Sequence, residues 1–154
     1  MQIVPFDSAL ATAFADLNRA WIEQLFTLEP ADLKVLSNPQ ASIIDAGGQI
    51  LFALDGGIPV GTVAAILTAP RRYELAKMAV ATSHQGQGVG FTLGEAVIEW
   101  ARSQEAESIF LLTNSSLAGA IRLYRRLGFV HRPLPGHTEY ARADVYMEII
   151  FPLV

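Results

Sequence analysis

Three apolar runs in the middle of the chain follow one another with only short turns between them. Each run has the length of a strand, and neither connection is long enough to hold a helix. Consecutive strands joined in this way pair antiparallel, because a parallel pair needs a crossover of a dozen or more residues. The runs are residues 49–54, 58–67 and 73–81, separated by the turn Asp55-Gly56-Gly57 and the break Pro70-Arg71-Arg72. The middle of the chain is therefore predicted to be an antiparallel sheet.

The sequence on either side of this sheet contains helical periodicity. Asp7 or Ser8 can cap a first helix, and Pro30 opens a second one, as proline often does. Further on, helices and strands alternate. The predicted helices span residues 10–25, 30–37, 91–102 and 116–127, and the remaining predicted strands span 2–5, 108–113 and 142–148. We therefore expect an α+β domain, in which a mixed α/β sheet carries helices on its faces.

Composition limits the class of protein. The 154 residues, 51% apolar and 17% charged, suit one packed domain over residues 1–154. A net charge of −4 argues against nucleic-acid binding, and no apolar run approaches the roughly 18 residues that span a bilayer. The absence of cysteine excludes disulfides and cysteine nucleophiles, and nothing at the start resembles a secretory signal. We expect a cytoplasmic protein that binds neither membrane nor nucleic acid.

The segment Gln85-Gly86-Gln87-Gly88-Val89-Gly90 lies between the third strand and an amphipathic helix. Glycines allow close backbone approach, and the free N–H groups of a first helical turn can hold a phosphate. A P-loop is excluded because no Gly-Lys-Ser/Thr follows. A dinucleotide fingerprint fits poorly, because Thr113-Asn114-Ser115 stands where a ribose-binding acid is expected. A plain strand-to-helix turn stays open as an alternative.

The segment resembles the pyrophosphate-binding signature of the GCN5-related N-acetyltransferase (GNAT) family, with Gln85, Gly88 and Gly90 at its defining places. Residues 74–80 and 114–129 are similar to further family segments, so the resemblance covers nearly the whole chain. It implies a twisted, mostly antiparallel sheet and acetyl-CoA as cosubstrate, with no metal. The implied cofactor-binding residues are Met78, Ala79, Val80, Gln85, Gly86, Gln87, Gly88, Val89, Gly90 and Asn114.

Two residues are candidates for acid–base catalysis. The resemblance implies that Tyr124 donates a proton to the CoA sulfur, whereas a core tyrosine bonded to a carbonyl is the alternative. It also makes Glu74 the base that deprotonates the amine. The alternative for Glu74 is a solvent-facing residue of an edge strand, paired with Arg71 or Arg72. Asn114 could contact the cofactor or, like Ser116, cap the following helix.

No nucleophile motif accompanies His84, His131 or His137, and no metal-ligand spacing occurs. Direct acyl transfer follows, without a covalent enzyme intermediate. In this family the acceptor contacts the N-terminal helices and the loop before the last strand, which correspond here to residues 18–38 and 132–140. Candidate residues of that pocket are Trp21, Phe26, His137, Glu139 and Tyr140.

The resulting hypothesis is an N-acetyltransferase that moves an acetyl group from acetyl-CoA to an amine of a small molecule or peptide. One alternative is a non-catalytic acyl-CoA sensor or regulatory module. Another is a nicotinamide-binding domain, which would use the same glycines. An exposed last strand could also pair two copies into a homodimer.

Overall fold

A computed structural model describes residues 1–136 and 140–152, and seven strands of these residues form one sheet. The strands are β1 (Gln2–Pro5), β2 (Gln49–Asp55), β3 (Ile58–Ala69), β4 (Arg72–Val80), β5 (Ser108–Thr113), β6 (Val130–Arg132) and β7 (Val145–Ile150). The helices are α1 (Ala11–Leu25), α2 (Pro30–Ser37), α3 (Val89–Ser103) and α4 (Ala118–Leu127), with short 3₁₀ turns at Ser8–Leu10 and Thr82–His84 and a π-helix at Gln40–Ile44.

The strand order is β1-β2-β3-β4-β5-β7-β6, and only the β4–β5 pair is parallel. The prediction of a mostly antiparallel mixed sheet is confirmed. The last strand, β7, lies between β5 and β6, so both of its edges are already hydrogen-bonded. The last strand therefore has no exposed edge, and the expectation that it pairs two copies is wrong.

Helices cover both faces of the sheet, as predicted. On one face, α3 packs through Leu93 and Val97 onto a core that includes Val63 of β3 and Ile109 of β5. On the other face, the helical spacing of Phe14, Asn18 and Ile22 turns one side of α1 inward. Each large side chain that is fully buried contributes about 1.5–3 kcal/mol of transfer free energy, so both layers stabilise the sheet.

A bulge interrupts β4 near its middle. Thr62 pairs with Ala79 and Ala64 with Ala76, so Lys77 and Met78 together oppose one residue of β3. Lys77 lies in this bulge with a φ of +56°, a backbone conformation that only glycine adopts freely. On the other side, the β4–β5 ladder ends at the pair Glu74–Phe110. Beyond that pair the two parallel strands are no longer hydrogen-bonded to each other.

Several element boundaries match the sequence predictions and others differ. The first strand, α2 and β5 lie as predicted, whereas β6 and the π-helix were not predicted. The last strand begins at Val145, three residues later than expected, because Arg142 is engaged in side-chain contacts with α2. Helix α4 begins at Ala118, since Asn114 and Asp144 organise the residues before it into a turn.

Candidate active site

The glycine-rich segment forms the entry into α3. Gly86 and Gly88 have φ angles of +75° and +84°, and Gly88 is the N-cap of the helix. A Cβ added at either glycine would meet no atom within 4 Å. The first helical bond runs from Thr92 N to Gly88 O, so the preceding N–H groups of the helix have no acceptor within it. With no acidic residue in this turn, the helix start suits an anion.

The two glutamines of the segment hold the loop in shape. Gln85 Nε2 donates to Val80 O at 3.1 Å, and Gln87 Nε2 donates to Ser83 O at 3.2 Å. Both bonds return to the end of β4 or to the turn that follows it. The side chains therefore order the backbone, while the glycines leave its N–H groups accessible.

A cavity of about 100 Å³ lies where β4 and β5 separate. Its wall brings together four of the predicted site residues, namely Glu74, Met78, Asn114 and Tyr124. The remaining predicted cofactor residues do not line it. Ala79 and Val80 continue β4, and residues 85–90 form the loop beyond that strand and the first residues of α3. The start of α3 is nevertheless close, since a Cβ on Gly90 would lie 3.6 Å from Met78 Sδ.

The backbone of β4 is paired on one side only beside the cavity. Ala79 pairs with Thr62 and Val80 with Gly61 across the β3–β4 ladder. On the β5 side the ladder has already ended at Glu74. An extended ligand can therefore add to this edge in the way a strand would.

Tyr124 extends from α4 into the cavity wall. Its ring packs edge-on against Phe129 with centroids 6.0 Å apart. Burial raises the pKa of Tyr124 to about 12. Within the described residues its hydroxyl has no hydrogen-bond partner, so the alternative of a core tyrosine tied to a carbonyl is not supported. The hydroxyl stays protonated at neutral and moderately alkaline pH.

Glu74 is half-buried on β4, an interior strand, so the alternative that placed it on an edge strand is wrong. The expected arginine partners pair elsewhere. Arg71 bonds to Glu107 at 3.3 Å, and Arg72 bonds to Glu148 at 2.8 Å. Glu74 instead lines the cavity, as Tyr124 does.

Asn114 has a structural role at the cavity rim. Its Oδ1 accepts from Ser116 N at 2.8 Å, and its Nδ2 donates to Arg142 O at 2.7 Å. The N-cap of α4 is Leu117, and no side chain of the described residues caps the helix, so the interpretation of Asn114 or Ser116 as the helix cap is wrong. Asn114 instead shapes the turn before α4. The same bonds join this turn to the segment that leads into β7.

A buried cluster of charges contributes Lys77 and Arg142 to the lining of the cavity, and the sequence reasoning missed it. Asp32 of α2 is fully buried, and its Oδ1 accepts from Lys77 Nζ and from Arg142 Nη2, both at 2.7 Å. Arg142 Nη1 also donates to Glu29 Oε2 at 2.9 Å. Lys77 Nζ donates in addition to the Tyr140 hydroxyl at 3.0 Å. Three distant parts of the chain meet at this carboxylate.

The electrostatics of the cluster depend on Asp32. Burial by itself raises the pKa of Asp32, but hydrogen bonds from Arg142 and Lys77 outweigh burial and hold that pKa well below its usual range. Burial lowers the pKa of Lys77, against the opposing effect of Asp32. The hydrogen bond to Asp32 raises the pKa of Arg142. Asp32 is therefore an anion at neutral pH.

Some residues in or near this charge cluster could be noticed in the sequence, but their local patterns indicated other roles. Glu29 N donates to Asp32 Oδ2 at 2.9 Å, as in a capping box, so Asp32 reads as a local cap. Asn18 is a polar residue on the apolar side of α1, and it lines the cavity while its Nδ2 donates to Phe14 O. The acceptor-pocket candidates Trp21, Phe26 and Tyr140 line the cavity as well. His137 and Glu139 lie outside the described residues.

One histidine has partners that the sequence reasoning did not anticipate. Ser83 Oγ lies 2.7 Å from His84 Nδ1, and Asp55 Oδ2 lies 2.8 Å from His84 Nε2. Ser83 and Asp55 are exposed, and none of the three residues lines the cavity. The contacts tie the β2–β3 turn to the 3₁₀ turn before α3.

The helices in residues 1–136 and 140–152 are not suited to a membrane. None of them is both long enough and apolar enough to cross one. Nor do these residues contain a group of three or more His, Asp or Glu side chains arranged to hold a metal ion.

The seven-stranded sheet, the separated β4 and β5 and the glycine-bearing start of α3 define an acyltransferase fold. The family model described as "Acetyltransferase (GNAT) family" matches residues 10–129. The chain belongs to this family. The plain-turn and nicotinamide-binding interpretations of the glycine segment are therefore set aside.

Solved structures share the fold across nearly the whole chain. A GNAT-family acetyltransferase from Staphylococcus aureus Mu50 has a TM-score of 0.85 at 19% identity and covers 96% of each chain. The yncA protein of Salmonella typhimurium, solved with its cofactor acetyl-CoA, has a TM-score of 0.78 at 22% identity, covering 100% of this chain and 95% of that one.

Curated relatives match part of the chain. N-acetyltransferase family 8 member 2 of Rattus norvegicus is 31% identical over 99 residues, which are 61% of this chain and 44% of the relative. N-acetyltransferase 8 of Mus musculus is 34% identical over 88 residues, 54% of this chain and 39% of the relative. The matched regions thus span less than half the length of these relatives.

Proposed function

We propose that this protein is an N-acetyltransferase that moves an acetyl group from acetyl-CoA to an amine of a small molecule or peptide. One observation carries the proposal: a single cavity, at the point where β4 and β5 separate, presents both Tyr124 and Glu74. We further propose that residues 1–154 act as one catalytic domain. A cytoplasmic location stays a prediction from the sequence.

Acetyl-CoA fits the residues beside this cavity. The N–H groups at Gly88, Val89 and Gly90 would hold its pyrophosphate, since the helix start has no acceptor or carboxylate of its own. The β5-facing edge of Met78 and Val80 would bond the amides of the pantetheine arm. Bound acetyl-CoA supplies an acyl group on a thioester, a reactive form of the carboxylic acid.

Tyr124 has the properties of the general acid. A thiol leaves as a thiolate and then needs a proton, and its ordinary pKa is about 8.5. Since burial raises the pKa of Tyr124 to about 12, the hydroxyl still carries its proton at the pH where thiolate would form. Its place on the cavity wall lets Tyr124 donate that proton to the sulfur as the C–S bond breaks. The tyrosinate then recovers a proton from the acceptor nitrogen, which is cationic once it has bonded to the acyl carbon.

Glu74 has the position of the general base. An alkylammonium has an ordinary pKa near 10.4, so an amine acceptor arrives protonated at neutral pH and must lose a proton before it attacks. A carboxylate on the cavity wall can accept that proton directly or through a water. No covalent enzyme intermediate is needed, because the amine nitrogen bonds directly to the acyl carbon as the bond to sulfur breaks.

The test begins with calorimetric titration of the protein with acetyl-CoA, with NADH as the control ligand. Saturable binding of acetyl-CoA, with a Kd in the micromolar range, is expected. A screen of amines and peptides then follows release of free thiol. No heat with millimolar acetyl-CoA would overturn the cofactor assignment, and binding without thiol release from any acceptor would favour the acyl-CoA sensor.

A further inference from the structure

The charged side chains that line the cavity include two cations and one carboxylate, so their charges do not cancel. Lys77, Arg142 and Glu74 belong to the lining, whereas the carboxylates that neutralise the two cations do not. Asp32 is fully buried behind them, and Glu29 also lies outside the lining. The cluster as a whole is neutral, but its positive side faces the cavity.

The two cations retain unused hydrogen-bond donors. Arg142 donates three hydrogen bonds to Glu29 and Asp32, whereas a guanidinium has five N–H donors. Lys77 donates two hydrogen bonds, to Asp32 and Tyr140, whereas an ammonium has three N–H donors. Within the described residues no further acceptor takes the remaining donors. They are available to an acceptor atom that enters the cavity.

These donors lie close to the proposed base. Glu74 is three residues before Lys77, which lies in the bulge of the same strand. Burial lowers the pKa of Lys77, and the negative charge of Glu74 is one of the effects that oppose this. A ligand whose amine is near Glu74 therefore has its neighbouring atoms near the cations. Trp21, Ile22 and Phe26 supply apolar surface beside them.

We infer that the cavity selects acceptors that carry a carboxylate a few bonds from the reacting amine, as α-amino acids do. Arg142 and Lys77 would bind that carboxylate through charge-assisted hydrogen bonds, and Asp32 holds both cations in place. Arg142 and Lys77 are specificity residues in this assignment, and Asp32 is a positioning residue. The inference rests on the proposed function and names its substrate class.

The test uses pairs of acceptors that differ only in the carboxylate. Phenylalanine is compared with phenethylamine, and leucine with 3-methylbutylamine, with kcat/KM measured from thiol release at pH 8. At least one amino acid is expected to exceed its decarboxylated partner by about tenfold or more. Equal or better use of the decarboxylated amines would overturn the inference while leaving N-acetylation intact. If neither half of the panel reacts, amino acids are excluded as acceptors, and the wider amine and peptide screen decides the activity separately.

Variants separate recognition from a purely structural role. In Arg142→Gln and in Lys77→Gln, the ratio of kcat/KM between each amino acid and its partner amine should fall toward one. A structural role would lower both values together and leave the ratio unchanged, which would also overturn the inference. Arg71→Gln is the matched control, because Arg71 forms an exposed ion pair with Glu107 and does not line the cavity. Its ratio should equal that of the unaltered protein.

Discussion

The two ends of the candidate active site are built in different ways. The end at α3 consists of backbone: glycines with positive φ and helical N–H groups, shaped by glutamines whose bonds stay within a few residues. The end at α2 consists of side chains: Asp32, Lys77 and Arg142, which come from three distant parts of the sequence and are joined by bonds of 2.7 Å. The first end can hold a ligand common to a whole family, because backbone N–H groups do not depend on side-chain identity. The second end can differ from one protein to another.

The largest effect is expected on the side-chain end. Asp32→Asn leaves two buried cations without their main counter-charge and should lower the free energy of unfolding by about 3–5 kcal/mol. Urea denaturation at pH 7 measures this change. Asp16→Asn, on the exposed side of α1, is the control and should stay within about 0.5 kcal/mol. Equal losses in the two variants would contradict the assigned role of Asp32.

The chemistry between the two ends is tested by Tyr124→Phe. Loss of the hydroxyl should lower kcat by about a hundredfold, or about 2.7 kcal/mol in activation free energy, with little change in the Kd of acetyl-CoA. Steady-state kinetics and calorimetry give the two quantities. Tyr73→Phe removes a hydroxyl from a buried tyrosine of β4 that does not line the cavity, and its kcat should be unaffected. An unchanged kcat in Tyr124→Phe would remove this residue from the mechanism.

The backbone end is tested by a single methyl group. Gly88→Ala places a Cβ in open space at the helix start and should weaken acetyl-CoA binding about tenfold, or about 1.4 kcal/mol. Gly57→Ala is the matched control, since Gly57 also has a positive φ, of +82°, and open space around it. Both variants should lose about 1–2 kcal/mol of stability from backbone strain. Only Gly88→Ala should change the Kd; a matching change in both would deny the loop a role in binding.

The smallest expected effect is a dependence of the unfolding free energy on pH through Asp32. Because the folded-state pKa of Asp32 lies below its unfolded value, the stabilisation that Asp32 provides is complete above pH of about 4 and is lost as the pH falls further. Below pH 4 the difference in unfolding free energy between the unaltered protein and Asp32→Asn should shrink by at most about 1.4 kcal/mol per pH unit. A difference that stays constant between pH 4 and pH 2 would mean that folding leaves the pKa of Asp32 unchanged.

Sequence reasoning recovered the features that depend on neighbouring residues. Helix α2 has a proline at its start and another just after it, and β5 is a short apolar run, so both boundaries were predicted. The glycine segment carries its own backbone requirement. By contrast, β6 has three exposed residues and no apolar alternation, so nothing local marks it as a strand.

The buried charge cluster of Asp32, Lys77 and Arg142 could not be predicted, because its residues are far apart in the sequence. Asp32 and Arg142 are 110 positions apart, and each has an ordinary local explanation, as a helix cap and as an outward residue of a strand. Burial of the pair arises only when α2 and the segment before β7 pack on the same part of β4. The edge-strand alternative for Glu74 could not be excluded from the sequence, because strand order, too, is a property of the whole chain.

The interior position of β7 determines when the buried charge cluster of Asp32, Lys77 and Arg142 can form during synthesis. Strands β2, β3 and β4 can pair as hairpins while the chain emerges, because each follows its partner after a short turn. Strand β1 pairs with β2 only after α1 and α2 have been made. Strand β5 gains its second neighbour only after residues 145–150 have been made, and Arg142 reaches Asp32 at the same stage. A ribosome-bound chain halted before Arg142 would therefore carry the glycine loop and Tyr124 already, but Asp32 would lack one of its two cations.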